Sequence, residues 1–221
     1  MTTAGVRVLI VEDHDLLADS LSAALAVEGF EVERPPTLDP ASVLDAAECL
    51  RPHVALVDFR LGDDVTALEM IRPLRELGAS VVMVTGERDP IALGECIEAG
   101  AIGLLHKSEP FDRLLDAVRD VAELRTVLSL AERDELLRAL REHRVAEAER
   151  HAPFERLTPR EQQVLAGLID GLSADALAAR DYVSIATIRS QIRAVLSKLG
   201  VSSQLAAVAL ARAADWRPES G

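Results

Sequence analysis

The sequence has few cysteines, no long apolar run and no overall excess of basic residues. Its two cysteines, Cys49 and Cys96, lie far apart and form no CxxC motif, so they are predicted to be small core residues in a reducing cytosol rather than a disulfide or a metal site. No apolar segment approaches membrane-spanning length, and residues 1–7 show no basic segment followed by an apolar one. We therefore expect no membrane association and no secretory signal, and a cytoplasmic location.

Acidic residues outnumber basic ones, which gives a formal net charge of −13 over 221 residues. This balance argues against a nucleic-acid partner for the chain as a whole, but the charge is unevenly distributed. Residues 1–128 hold 11 Lys/Arg and 24 Asp/Glu, whereas residues 156–221 hold 8 Lys/Arg and 6 Asp/Glu. The C-terminal segment can therefore still face DNA.

Five strand-like segments alternate with helical patterns over the first 125 residues. The strand-like segments lie at 6–11, 30–34, 54–57, 81–84 and 102–105, and apolar residues recur at helical spacing between them. Strict alternation of strand and helix predicts a doubly wound (βα)5 parallel sheet with helices on both faces. In such α/β sheets ligands bind beyond the carboxyl ends of the strands.

Four of these strands end in side chains suited to binding or catalysis. Glu12 and Asp13 follow the first strand, Asp58 the third, Thr85 the fourth and Lys107 the fifth. Taken singly, they are readable as helix caps, a turn residue and a surface lysine. Together, in this order and at one sheet edge, they resemble the receiver domain of bacterial two-component response regulators. That resemblance implies the strand order 2-1-3-4-5.

The resemblance also implies a phosphorylation site. Asp58 would accept a phosphoryl group from a phosphohistidine of a partner histidine kinase. Mg²⁺ prefers oxygen ligands. It would be bound by Asp13, Asp58 and the backbone carbonyl of Arg60, while Glu12 would act mainly through water. His14 is not included among the metal ligands.

Two further residues complete the implied site. Lys107 would pair with Asp58 and then with a phosphoryl oxygen, and Thr85 would donate its hydroxyl to the same group. Because phosphoryl transfer needs mainly positioning and charge neutralisation, these groups suffice for the domain to catalyse its own phosphorylation and dephosphorylation. No other enzymatic activity is expected.

The sequence departs from the receiver pattern at two places. Gly62 stands where the family usually has proline, so the loop after Asp58 is expected to be looser. Leu104 and Leu105 occupy positions where the family often has the aromatic residue that reports phosphorylation. Arg60 and Glu87 are expected to influence the lifetime of the phosphoryl group.

Residues 126–154 are predicted to form a helical linker. Ser129 and Glu132 fit a capping box, and the segment to Glu149 contains no glycine or proline. The apolar stripe is too short and too polar for a confident coiled coil. Our hypothesis is that this helix helps to pair two chains or transmits the state of the receiver.

Residues 155–216 show the pattern of a small all-helical domain. Thr158, Ser173 and Ser184 are each predicted to cap a helix, and Gly200 ends the third. Two short helices joined by a tight turn suggest a helix-turn-helix. Over about 60 residues this segment resembles the DNA-binding module of LuxR/NarL regulators. The matching sequence is LTPREQQVLAGLIDGLS…VSIATIRSQIRAVLSKLGVSSQLAAVALA.

By that resemblance, residues 184–198 form the recognition helix, which carries three basic residues and no acidic one. Arginine and glutamine can read base edges, although phosphate contact alone is the simpler role for each basic residue. The residues expected to face double-stranded DNA are Thr187, Arg189, Ser190, Gln191, Arg193 and Lys198.

These features predict a homodimeric transcription regulator controlled by phosphorylation of Asp58, with a receiver at 1–125, a linker at 126–154 and a DNA-binding domain at 155–216. One alternative keeps the DNA binder but makes the receiver a phosphorylation-independent oligomerisation or ligand-sensing domain. Another is a phosphatase with an aspartate nucleophile. Such enzymes typically carry a second aspartate where this chain has Arg60, and they would leave the C-terminal module without a role.

Overall fold

The computed structural model describes residues 5–62, 67–123 and 125–218. The chain forms two compact units, Met1–Arg141 and Glu142–Gly221. Within the described residues no single helix is long and apolar enough to cross a membrane. One bent pair of helices, Ile185–Leu199 with Gln204–Ala213, meets that criterion by length and composition only.

The first unit is built on a five-stranded parallel sheet. Residues 54–57 are all apolar and β3 is buried along its whole length, as expected for a central strand covered on both faces. The strand order is β2-β1-β3-β4-β5, which confirms the predicted doubly wound sheet. The strands are β1 (Arg7–Val11), β2 (Glu31–Glu33), β3 (Val54–Asp58), β4 (Ser80–Thr85) and β5 (Gly103–His106).

Five helices cover the two faces of this sheet, and each face has its own apolar core. Two of these helices begin at an Asp-Pro pair, and the side chains of Asp39 and Asp89 accept hydrogen bonds from the amides of Ser42 and Ile91, each at 3.1 Å. The helices are α1 (Asp15–Val27), α2 (Pro40–Leu50), α3 (Leu68–Glu76), α4 (Pro90–Ala99) and α5 (Phe111–Ala122).

A long helix, α6 (Leu130–Glu155), occupies the predicted linker. Its capping box is confirmed: the amide of Glu132 donates to Ser129 Oγ at 3.2 Å, and the amide of Ser129 donates to Glu132 Oε2 at 3.0 Å. The early part of the helix packs within the first unit, where Leu140 is 1% exposed. The three-part division at 125 and 154 stays a prediction.

The second unit contains α7 (Pro159–Ile169), α8 (Ala174–Arg180), α9 (Ile185–Leu199) and α10 (Gln204–Ala213). Thr158, Ser173 and Ser184 cap α7, α8 and α9 as predicted, and Thr158 does so in a capping box with Glu161. Trp216 stacks on Phe154 with ring centroids 5.3 Å apart, so it is a packing residue of this unit.

Candidate functional site

Three of the predicted site residues meet at the carboxyl edge of the sheet. Asp58 is the last residue of β3, and Glu12 directly follows β1; they are 4% and 3% exposed. Lys107 follows β5, and its Nζ lies 2.7 Å from Asp58 Oδ2 and 2.8 Å from Glu12 Oε1. One ammonium group therefore bridges two buried carboxylates.

Burial controls the protonation of this cluster. It raises the pKa of the Asp58 carboxyl; the hydrogen bond from Lys107 opposes the rise, and the charge of Glu12 adds to it. For Lys107, burial lowers the pKa, but the hydrogen bonds to Asp58 and Glu12 outweigh it and the net pKa is raised. Lys107 is therefore charged at neutral pH, and its ammonium is a single cation next to the carboxyl groups of Glu12 and Asp58.

Asp13 joins the cluster through the loop that follows β3. Its Oδ2 accepts a hydrogen bond from the amide of Gly62 at 3.0 Å. Burial would raise the pKa of Asp13, but this amide and the neighbouring His14 prevail, and the pKa is lowered. Gly62 has φ +87°, which proline cannot adopt, and it donates an N–H that proline lacks. The expected looser loop is thus hydrogen-bonded at this residue.

His14 also lies in the cluster, although sequence reasoning set it aside as a ligand. Its Nδ1 is 2.9 Å from Glu12 Oε1 and 2.7 Å from Asp13 Oδ1, and its hydrogen bond to Glu12 raises its pKa. Potential ligand atoms of Glu12, Asp13, His14 and Asp58 lie within 4.8 Å of one another. The adjacency of His14 to the acid pair was the only sequence signal for this placement.

The buried Oε2 of Glu12 has no hydrogen-bond partner among the described residues. An unpaired buried carboxylate oxygen is costly, and the surrounding donors are already used by other oxygens. Three clustered carboxylates opposite a single lysine form the hard oxygen environment that a small divalent cation prefers. The residues of the acidic cluster therefore fit such an ion.

Thr85 lies at the same edge. It is the last residue of β4, it is 3% exposed, and its Oγ1 accepts a hydrogen bond from the amide of Glu87 at 2.9 Å. It lines a cavity of about 650 Å³ together with most of the acidic cluster. The residues around this cavity, called the acidic pocket below, are Asp13, His14, Asp58, Arg60, Gly62, Thr85, Gly86, Glu87 and Lys107.

Arg60 and Glu87 form an ion pair beside the acidic pocket, with Arg60 Nη2 2.9 Å from Glu87 Oε2. Hydrogen bonds lower the pKa of Glu87 to about 2. The largest effect comes from the amide of Asp89, followed by the Arg60 side chain and the amide of Arg88. The amide of Arg60 donates to Asp58 Oδ1 at 3.3 Å. The two residues expected to influence a phosphoryl group are thus coupled to each other.

In the second unit, α8 and α9 form the predicted helix-turn-helix. The inner face of α9 is apolar, since Ile188, Ile192, Val195 and Leu199 are all buried. Of the six predicted DNA-facing residues, four are exposed and two are half-buried. The exposed residues are Thr187, Arg189, Ser190 and Arg193, and the half-buried ones are Gln191 and Lys198.

Three of these side chains are hydrogen-bonded within the unit, and one of them is Arg193, whose Nε donates to the backbone oxygen of Arg189 at 3.4 Å. Thr187 Oγ1 lies 2.8 Å from the capping hydroxyl of Ser184. Lys198 Nζ donates to Glu161 Oε2 at 2.6 Å and so ties the end of α9 to the start of α7. Arg189 and Arg193 therefore supply the exposed positive charge of α9.

Family models match both units. The model of the response regulator receiver domain matches residues 8–119, and the model of luxR-family bacterial regulatory proteins matches residues 155–211. The probable transcriptional regulatory protein NarL of Mycobacterium tuberculosis is 30% identical over 205 residues, covering 92% of both chains. The nitrate/nitrite response regulator NarP of Escherichia coli is 33% identical over 207 residues, covering 92% of this chain and 93% of NarP.

The chain belongs to the LuxR/NarL group of two-component response regulators. Among solved structures it is similar to the RcsB–DNA complex, with a TM-score of 0.50 and 20% identity over 94% of this chain and 98% of RcsB. It is equally similar to RcsB of Salmonella enterica serovar Typhimurium bound to promoter rprA with BeF3⁻, with a TM-score of 0.50 and 21% identity over 93% and 98% of the two chains. At these identities the likeness supports the fold.

The turn before α9 of this response regulator carries a residue that the sequence patterns did not single out. Tyr182 is 95% exposed and has φ +54°, a conformation that is unusual for a bulky side chain. Beside it, Asp181 is bound by Arg180 at 2.7 Å and by Arg160 at 2.8 Å. The hydrogen bond from Arg180 is the largest cause of the lowered pKa of Asp181. The turn is therefore anchored immediately before an exposed aromatic ring.

Proposed function

We propose that Asp58 is the phosphoacceptor of this response regulator. The observation that carries the proposal is the position of Lys107, whose ammonium lies 2.7 Å from Asp58 Oδ2 at the wall of the acidic pocket. An Asp58 carboxylate oxygen would attack the phosphorus of a phosphohistidine on a partner histidine kinase. A P–O bond forms, the P–N bond breaks, and the imidazole nitrogen keeps the electron pair.

The acidic cluster would hold Mg²⁺ through Asp13, Asp58 and the backbone carbonyl of Arg60, with Glu12 acting through water. The unpaired Glu12 Oε2 and the clustering of Glu12, Asp13 and Asp58 support this assignment. When bound, the ion supplies the positive charge that lets an anionic nucleophile approach an anionic phosphoryl group. The hydrogen bond from Gly62 keeps Asp13 ionised for this role.

Lys107 and Thr85 would act on the transferred group. Lys107 already pairs with Asp58 and would retain its charge when it contacts a phosphoryl oxygen, because its pKa is raised. The Thr85 hydroxyl accepts from the amide of Glu87 and keeps its own hydrogen available for donation to the phosphoryl group. With positioning and charge supplied by the receiver itself, it would catalyse its own phosphorylation and dephosphorylation.

The recognition helix α9 would enter the major groove of double-stranded DNA. Arg189, Ser190 and Arg193 lie on its exposed side and are the leading candidates for base or phosphate contact, with Thr187, Gln191 and Lys198 around them. We propose that two copies of the chain bind paired half-sites as a homodimer in the cytoplasm. The proposed division is a receiver at 1–125, a linker at 126–154 and a DNA-binding domain at 155–216.

The test is the intact mass of the whole chain after incubation with acetyl phosphate and Mg²⁺. We expect one added phosphoryl group on the wild type and none on Asp58→Ala, and no addition to the wild type when the divalent cation is chelated. DNA sequences selected from a random duplex library would then be bound more tightly by the phosphorylated chain. Equal DNA affinity for wild type and Asp58→Ala, with and without phosphodonor, would instead favour a phosphorylation-independent receiver.

A further inference from the structure

The start of α6 makes an unusually close contact with α4. Gly94 lies in the middle of α4, and a Cβ added there would stand 2.8 Å from the backbone oxygen of Leu136 and 3.1 Å from Leu140 Cβ. Glycine inside a helix is less favourable than alanine. Its use here is explained by the approach of the second helix, whose backbone could not come as near to any other residue.

Apolar burial holds this part of α6 in place. Leu128, Leu136 and Leu137 are half-buried against the same core that packs below α4, and Leu140 is 1% exposed. Leu130, on the same helix, is 78% exposed. Leu136 and Leu140, which lie next to Gly94, thus differ from the exposed Leu130, and α6 up to Leu140 packs on the receiver as a sixth helix.

A second cavity, of about 290 Å³, lies beside this contact. Leu104, where receivers often have the phosphorylation-reporting aromatic residue, lines it together with Leu136 of α6. Thr85 and Glu87 line both this cavity and the acidic pocket. Thr85, the proposed phosphoryl-binding residue, and Glu87 therefore lie between the acidic pocket and the cavity beside α6.

We propose that the α4–α6 contact reports the state of Asp58 in place of the missing aromatic residue, and that phosphorylation releases α6 from α4. This inference rests on the proposed function of Asp58. When the Thr85 hydroxyl donates to a phosphoryl group, it would move the loop from Glu87 to Asp89. Glu87 is hydrogen-bonded to Thr85, and Asp89 caps α4. Because Gly94 has no side chain to bridge the two helices, a small shift of α4 removes the contact.

Charge points to release and not to tighter docking. Glu132 and Glu135 of α6 line the second cavity with Glu87 and Glu109, so four acidic residues surround it. Phosphorylation of Asp58 adds negative charge behind Thr85 and Glu87. Like charges disfavour the docked position of α6, and the cavity beside the contact leaves this part of the helix with fewer packing contacts to lose.

Hydrogen exchange of the whole chain tests the proposal. With Mg²⁺ and beryllofluoride, a phosphoryl mimic, we expect the amides of residues 134–140 to exchange on the order of 10-fold faster, the size of a typical coupling between sites. Fluorine NMR would show in the same sample whether beryllofluoride is bound. Asp58→Asn should show neither binding nor faster exchange.

Substitutions test the contact without any phosphoryl mimic. Gly94→Leu should speed exchange of residues 134–140 on its own, and beryllofluoride should then add little. If Gly94→Leu does not fold, Leu136→Ala replaces it, with Leu130→Ala as the matched control that leaves exchange unchanged. Bound beryllofluoride with unchanged exchange would overturn the inference alone, whereas no binding to the wild type would overturn the proposed function and the inference with it.

Discussion

The amide of Gly62 donates to Asp13 Oδ2 at 3.0 Å, joining two loops that are 49 residues apart in sequence. This hydrogen bond requires a residue that has an N–H and tolerates φ +87°. Gly62, which was expected to loosen the loop after Asp58, therefore supplies a hydrogen bond that fixes this loop to Asp13 at the carboxyl edge of the sheet. It holds an acidic residue ionised beside two buried carboxylates.

Gly62→Pro should weaken Mg²⁺ binding, because it removes the amide hydrogen and cannot keep the native φ. Loss of the hydrogen bond raises the pKa of Asp13, so the loss of affinity should grow as the pH falls toward the ordinary pKa of 3.8. Calorimetric titration with Mg²⁺ measures it. Gly62→Ala retains the N–H at a strain of about 1–2 kcal/mol and is the matched control. Equal Mg²⁺ affinities for the two variants would show that the hydrogen bond is unimportant.

Lys107→Met should destabilise the metal-free receiver by about 3 kcal/mol, since two buried carboxylates lose their shared cation. Mg²⁺ should restore much of this stability, because it supplies the missing charge. Urea unfolding with and without EDTA gives both numbers. Arg113→Met removes an exposed cation whose pair is 3.8 Å apart and should change stability by no more than about 0.5 kcal/mol. Similar losses for both variants would contradict the bridging role.

Asp58→Asn should stabilise the metal-free chain at neutral pH. The pKa of Asp58 is raised above its ordinary 3.8 in the fold, so the stability linked to this group is complete below pH 3.8 and is lost as the pH rises through the raised value. Asparagine avoids that loss. When the free energy of unfolding is measured in EDTA from pH 3 to pH 7, the stability of the variant relative to the wild type should increase as the pH rises. A constant difference would mean that the folded pKa is not raised.

The sheet and its carboxyl edge were predictable because four of the five strands are apolar and are each followed by side chains suited to binding or catalysis. Asp58, Thr85 and Lys107 could be placed at one edge from strand direction alone. The contact of Gly94 with Leu136 could not be predicted, because glycine in a helix has no periodic pattern and the partner lies 42 positions away. The ion pair between Lys198 and Glu161 was likewise not predictable, because a glutamate three residues after Thr158 is already accounted for by the helix cap.

Glu161→Gln should destabilise the second unit at neutral pH by about 1 kcal/mol, a value reduced by the partial exposure of Lys198. Burial opposes ionisation of Glu161, but the hydrogen bond from Lys198 prevails and its pKa lies below the ordinary 4.5. The stability it contributes is therefore present above pH 4.5 and lost as the pH falls through the lower folded value. Fluorescence of Trp216, the only tryptophan, reports this unit, and the variant should lose less stability on acidification.

Tyr182→Gly should leave the fold as stable or make it more stable by up to about 1 kcal/mol, because glycine adopts φ +54° without the steric cost. If the exposed ring contacts DNA, affinity for selected duplexes should fall severalfold while thermal unfolding does not worsen. Val183→Ala, beside it, is the control for a general effect of the turn. Unchanged DNA affinity in Tyr182→Gly would show that the tyrosine ring does not contact DNA.

The burial of Leu140 and the close approach of Leu136 to Gly94 also limit how this gene can be recombined. A receiver cut at residue 125 and fused to a foreign output module would lose the helix that covers α4 and would present bare leucine-lined surface to solvent. A chimera joined after Arg141 would keep that cover. The unit that can be exchanged by shuffling is thus longer than the five strand-helix repeats suggest.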